Sequence, residues 1–106
     1  MGLFNFLKKP DINALVKEFH DTVGAVLIDV RTPEEYAQGH IPGSKNVPLQ
    51  SMGDVRETVS ERDTPLFVYC RSGARSAQAV GLLNGMGYTD VRNIGGIMAW
   101  SGEIES

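Results

Sequence analysis

The chain has 106 residues, 42% hydrophobic and 22% charged, with a formal net charge of −3. That length holds one small domain around a single core, and the weak acidity gives no electrostatic case for nucleic acid, whose binders carry a strongly basic face. A single cysteine excludes an internal disulfide, and with only two histidines beside it a zinc site lacks its usual ligands, so neither a metal nor a cofactor is expected.

Residues 1–10, MGLFNFLKKP, read as a lead segment ahead of a domain spanning 11–106. The apolar stretch is very short and its lysines follow it, the reverse of a secretory signal. Gly2 suggests myristoylation, but Phe6 stands where that motif requires Ser or Thr. Leu3, Phe4, Phe6 and Leu7 are expected to fold back onto the domain. Nothing approaches a membrane span of about 20 apolar residues, and the expected location is the cytoplasm.

Asp11 is placed to cap a helix in which Ile12, Leu15, Val16 and Phe19 recur at helical spacing. Ala25-Val26-Leu27-Ile28-Asp29-Val30 has the apolar character of a strand covered on both faces. Thr32-Pro33-Glu34-Glu35 is a helix start, with Thr as cap, Pro at the first position and acids in the first turn. Gly39 closes that helix, and Ile41-Pro42-Gly43 turns the chain toward a brief extended piece, Lys45-Asn46-Val47. A helix is expected over 51–62 with Val55 and Val59 inward, then a buried strand from Leu66 to Tyr69 and a helix from Ala74 to Asn84. Val91-Arg92-Asn93 reads as a short strand, and Gly95-Gly96 precedes a last turn whose Met98 and Trp100 are expected to close the core.

Strands alternating with helices over short connections argue for an α/β domain with a mainly parallel sheet. Such sheets place ligands at the carboxyl ends of their strands. Two strands here end in informative residues, one in Asp29-Val30-Arg31 and the other in Cys70. Asp29 and Arg31 read as an ion pair fixing loops near the site, with Glu34 and Glu35 as further partners for Arg31.

The segment Cys70-Arg71-Ser72-Gly73-Ala74-Arg75-Ser76 leaves a strand and enters a helix. The first amides of a helix lack intrahelical partners and carry the positive end of its dipole. Gly73 permits a left-handed backbone and Ser72 and Ala74 are small, so the amides of residues 71–76 can converge on an anion. A thiol at the base of that cradle is acidified, because dipole, amides, Arg71 and Arg75 all favour the thiolate. A structural core cysteine would sit within Leu66-Phe67-Val68-Tyr69 rather than after it.

Four groups of residues, in this order, resemble the rhodanese family of sulfurtransferases. They are Leu27-Ile28-Asp29-Val30-Arg31; Glu35-Tyr36 with Gly39-His40-Ile41-Pro42-Gly43-Ser44 and Asn46-Val47-Pro48; the Cys70–Ser76 loop; and Asn93-Ile94-Gly95-Gly96-Ile97-Met98-Ala99-Trp100. The resemblance covers residues 11–102. It implies a single rhodanese-like α/β domain with about five mainly parallel strands flanked by helices on both faces. It also implies that Cys70 is the nucleophile of a thiosulfate sulfurtransferase, carrying sulfur as a persulfide from a small anionic donor to cyanide, a thiol or a protein acceptor. Arg71, Ser72, Gly73, Ala74, Arg75 and Ser76 would bind the substrate, Asp29 and Arg31 would support them, and His40 would be structural.

Two alternatives stand beside this reading. A phosphatase or arsenate reductase of the Cys-x5-Arg type carries its arginine six residues after the cysteine, whereas Arg75 stands five after Cys70. The shorter ring suits a sulfur atom capping the cysteine better than a tetrahedral oxyanion. The other is a persulfide carrier or redox-sensing module serving a protein partner, which the cysteine alone does not separate from an enzyme. Oligomeric state is not readable from these residues.

Overall fold

Runs of apolar and β-branched residues that scarcely alternate with polar ones build the centre of the sheet. The structure, a computed structural model, describes residues 10–106, so the expectation for Leu3, Phe4, Phe6 and Leu7 lies outside the described residues. Strands β1 (Val26–Asp29), β2 (Lys45–Asn46), β3 (Leu66–Cys70) and β4 (Val91–Gly96) form one sheet in the order β2-β1-β3-β4, with every pairing parallel. All of β3 is buried, as a central strand covered on both faces must be.

Helix α1 (Ile12–His20) starts where the Asp11 carboxylate accepts hydrogen bonds from the backbone amides of Asn13 and Ala14. Its Ile12 and Val16 pack with Leu27, Phe67, Tyr69 and Ile94 on one face of the sheet. Helix α2 (Pro33–Gln38) starts with a capping box, in which Thr32 and Glu35 each accept a bond from the other's backbone amide. Short helix α3 (Val55–Thr58) and helix α4 (Ala74–Gly85) cover the opposite face, where Val55, Ala79 and Leu83 meet Ile28, Val30, Leu66 and Val68. Among the described residues no helix is long and apolar enough to cross a membrane.

Three elements differ from the sequence expectation. The helix expected over 51–62 is a 3-10 segment, Leu49–Asp54, followed by α3. Ser51 leaves helical geometry at φ −116° and ψ 31°, and β-branched Val59 is extended at φ −134°, so the helix stops before it. Val55 and Val59 are nevertheless both buried. Strand β4 runs to Gly96 rather than ending at Asn93, and its register slips: Val68 pairs with Asn93 but Tyr69 with Gly95. This bulge brings the end of β4 against the segment that follows Cys70. Finally, Met98 is 68% exposed and does not close the core. It lies in the 3-10 turn Ile97–Ala99, whose three-residue repeat sends Ile97 and Trp100 inward together and Met98 outward.

The carboxyl end of β1 carries a buried ion pair. Arg31 Nη2 donates to Asp29 Oδ2 at 2.7 Å, its Nε lies 3.1 Å from both carboxylate oxygens, and its backbone amide donates to Oδ1 at 2.9 Å. Arg31 Nη2 also donates to the Gly39 carbonyl at 2.7 Å, while Asn46 Nδ2 donates to the carbonyls of Asp29 and Arg31. Burial works against the Arg31 charge, but the bond and field of Asp29 outweigh it and leave its pKa raised. The expected partners Glu34 and Glu35 make no bond to this guanidinium, which Asp29 holds, and Glu35 acts on it only through its field.

Removing Asp29 alone strands a buried cation. We predict that Asp29→Ala destabilises the fold by about 3–5 kcal/mol in urea titrations, and that adding Arg31→Met recovers most of that loss. A loss below about 1 kcal/mol would mean that the pair is solvated.

Candidate active site

Cys70 is the last residue of β3, and the chain has only Arg71, Ser72 and Gly73 in which to turn before α4 begins. Gly73 makes the turn possible as the N-cap of α4 at φ 106°, a left-handed conformation that a side chain would strain. The Gly73 amide points back and donates to Cys70 Sγ at 3.0 Å, and Ser76 Oγ lies 3.4 Å from the same sulfur. The cysteine is only 1% exposed. Burial pushes the thiol up, but the Ser76 hydroxyl and the amides of Ser76, Gly73 and Ser72 together bring it below its ordinary value. The groups in contact with sulfur are thus amides and a hydroxyl, not guanidinium groups.

Strand β4 holds the loop from the other side. A Cβ on Gly96 would lie 2.1 Å from the Arg71 carbonyl oxygen, so only glycine permits this approach of two backbones. The Arg71 carbonyl in turn accepts a bond from the Met98 amide at 3.2 Å. Asn93 adds side-chain links: Nδ2 donates to the Gly73 carbonyl at 3.2 Å, and Oδ1 accepts from the Gly95 amide at 3.0 Å and from Ser76 Oγ at 2.7 Å. Sequence reasoning did not single out Asn93 as a site residue. The signal that could have found it is a polar residue near the carboxyl end of a strand, followed closely by Gly95-Gly96.

The two loop arginines are differently engaged. Arg75 clasps Glu35 with two bonds, Nη1 to Oε1 at 2.7 Å and Nη2 to Oε2 at 3.0 Å. The bond from Arg75, aided against burial by Thr32, holds the Glu35 carboxyl down at about 2. Arg75 is correspondingly raised, first by Glu35. Arg71 is exposed and lies outside the ion pairs among the described residues. With Ser72, Gly73, Asn93, Gly96 and Met98 it lines a cleft of about 370 Å³. Cys70 is not among the cleft's lining residues, so this space borders the loop rather than baring the sulfur.

The remaining predicted residues fall into place around this loop. Ser72 and Ala74 are exposed and Ser76 is fully buried. Asp29 and Arg31 stand at the neighbouring strand end, where Val30 donates to the Tyr69 carbonyl at 3.0 Å, and they do not touch Cys70. His40 stacks on Tyr36 with ring centroids 3.7 Å apart and has its Nδ1 2.8 Å from the Tyr36 carbonyl oxygen, away from the sulfur.

Residues 13–103 match the family model described as the rhodanese-like domain. A sulfurtransferase of Allochromatium vinosum is 41% identical over 92 residues, covering 86% of this chain and 85% of the relative. Thiosulfate sulfurtransferase PspE of Escherichia coli is 42% identical over 71 residues, covering 66% of this chain and 68% of the relative. Among solved structures, a rhodanese with anions from E. coli superposes with a TM-score of 0.71 at 36% identity, covering 76% of this chain and 96% of that one.

The clasp between Glu35 and Arg75 has a pH signature. A depressed carboxyl contributes stability above its unfolded value near 4.5, and that contribution disappears as pH falls through about 2. We therefore expect Glu35→Gln to lower the thermal midpoint at neutral pH, with the gap to the parent chain closing between those two values. A gap that stays constant with acidification would show that the ionised carboxylate is not what the clasp uses.

Proposed function

Since the chain belongs to the rhodanese-like family and is a thiosulfate sulfurtransferase of the rhodanese type, we propose that the transferred sulfur rides on Cys70 as a persulfide. The single observation that carries this reading is the buried sulfur at the end of β3 with the Gly73 amide 3.0 Å away. The loop amides and the Ser76 hydroxyl shift this thiol toward its anionic, nucleophilic form.

The Cys70 thiolate attacks the outer sulfur of thiosulfate. A bond forms from Sγ to that sulfur, the donor's S–S bond breaks, and sulfite leaves with the electron pair. An acceptor thiolate or cyanide then attacks the outer sulfur, and the breaking bond returns its pair to Sγ. The persulfide is itself an anion, and the loop amides that suit the thiolate also suit it. A sulfur atom is small enough to occupy the mouth of a short loop.

Charge bookkeeping around the loop assigns different roles to the arginines. Arg75 already has its charge matched by Glu35, so it braces the loop against α2. Exposed Arg71 beside the cleft is the guanidinium available to the oxygens of an arriving anion. A physiological acceptor with a thiol, small or carried on a protein, fits the same chemistry.

Incubation with thiosulfate should add one sulfur atom to the intact mass, and Cys70→Ser should abolish both that addition and transfer to cyanide while the domain stays folded. A folded Cys70→Ser chain that still transfers sulfur would overturn the persulfide route. Arg71→Ala should raise KM for thiosulfate several-fold, in keeping with about 1 kcal/mol for an exposed charged contact, and leave the thermal midpoint unchanged. Arg75→Ala should lower the midpoint, because it leaves Glu35 half-buried and unpaired. An unaltered KM in Arg71→Ala would remove this residue from donor binding.

A further inference from the structure

We propose that Asn93 is a positioning residue for sulfur transfer, holding the Gly73 peptide and the Ser76 hydroxyl against the Cys70 sulfur. The inference deepens the sulfur-transfer reading above and rests on it for its purpose. Its geometry begins with Gly73, whose amide is the direct donor to Sγ at 3.0 Å. A glycine has wide backbone freedom, so its left-handed conformation needs holding from outside. The Gly73 carbonyl is held by the Ala77 amide of α4 at 3.1 Å and by Asn93 Nδ2 at 3.2 Å. The first bond fixes the helix end, and the second ties the glycine to β4.

The Ser76 hydroxyl has one proton and several acceptors within reach. Asn93 Oδ1 is the nearest at 2.7 Å, ahead of the Gly73 carbonyl at 3.0 Å and Sγ at 3.4 Å. With the proton toward Asn93, the hydroxyl oxygen faces the sulfur and accepts a thiol S–H. Once Cys70 is an anion, the same hydroxyl can turn its proton to Sγ. Asn93 Oδ1 then still accepts from the Gly95 amide at 3.0 Å. The exchange therefore orphans no buried acceptor in either state, which is what a site alternating between thiol and anion requires.

The charged groups around the sulfur are Arg71 beside it, the Arg75–Glu35 clasp, and the Asp29–Arg31 pair at the end of β1. None is hydrogen-bonded to Asn93, so substitution there leaves their pairing intact. A purely structural Asn93 would alter stability without altering the sulfur's proton affinity.

The experiment titrates the thiolate by its ultraviolet absorbance, as a difference from Cys70→Ser, in the parent chain, Asn93→Ala and Asn93→Leu. Alkylation rates are followed over the same pH range. Asn93→Ala should move the midpoint upward, with alkylation roughly tenfold slower at neutral pH, the size of one lost hydrogen bond to an anion. Above the raised midpoint the alkylation rate should return to that of the parent. Should Asn93→Ala fail to fold, Asn93→Leu keeps the side-chain volume, lacks the donor to Gly73, adds no charge and should shift the midpoint the same way. A folded variant with the parent midpoint, or one whose alkylation stays slow at high pH, overturns the proposal. No sulfur donor is used, so a failed sulfur-loading experiment sinks the persulfide route without touching this result.

Discussion

A sulfur kept almost out of water at the end of a parallel strand must find its hydrogen-bond donors within the protein, and the carboxyl end of this sheet is arranged around that requirement. The Cys70 sulfur is buried, which by itself favours the neutral thiol. The Gly73 amide and the Ser76 hydroxyl reverse that preference from within hydrogen-bonding range. Bringing them there demands a turn of three residues, a left-handed Gly73 and a β4 backbone that comes close enough to exclude any side chain at Gly96. The β4 bulge, the Gly95-Gly96 pair and the position of Asn93 follow from the same demand.

Dipoles rather than a counter-ion in contact with sulfur have a chemical consequence. A guanidinium bonded to the sulfur would occupy one of the directions in which its next bond could form. Arg75 is matched by Glu35, so its charge acts on Cys70 through space without a bond to it. Arg71 is exposed on the cleft, where water screens its charge.

Segment 32–44 links the two strand ends. Glu35 binds Arg75 of the cysteine loop, Gly39 receives Arg31 from the end of β1, and the Tyr36 hydroxyl donates to the Ser44 carbonyl at 2.6 Å. Glu35 also accepts from the Thr32 amide, so one carboxylate both starts α2 and fixes the loop. A cap and an active-site brace are the same side chain. The geometry at Cys70 is thus supported from β4 on one side and from α2 on the other.

Much of this was legible from residue order, because the relevant forces are local. Asp11 and Thr32 cap helices through bonds within three residues, and Val26–Asp29 and Leu66–Cys70 declare buried strands by their lack of polar alternation. The placement of Cys70 between a strand and a helix start, with Gly73 able to turn left-handed, likewise depends only on neighbours along the chain. What tertiary structure decided were choices among partners far apart in sequence. Arg75 could reach a substrate or a carboxylate, and the fold placed Glu35, 40 residues away, against it. Asn93 looked like part of a strand end until the β4 bulge set it beside Gly73 and Ser76. The stretch after Pro48 had helical composition, yet packing of Met52, Val55 and Val59 was met by a kinked 3-10 segment and one helical turn. Caps and strand runs draw on bonds and burial that each residue brings with it; ion-pair partners and register depend on which surfaces the folded chain brings together.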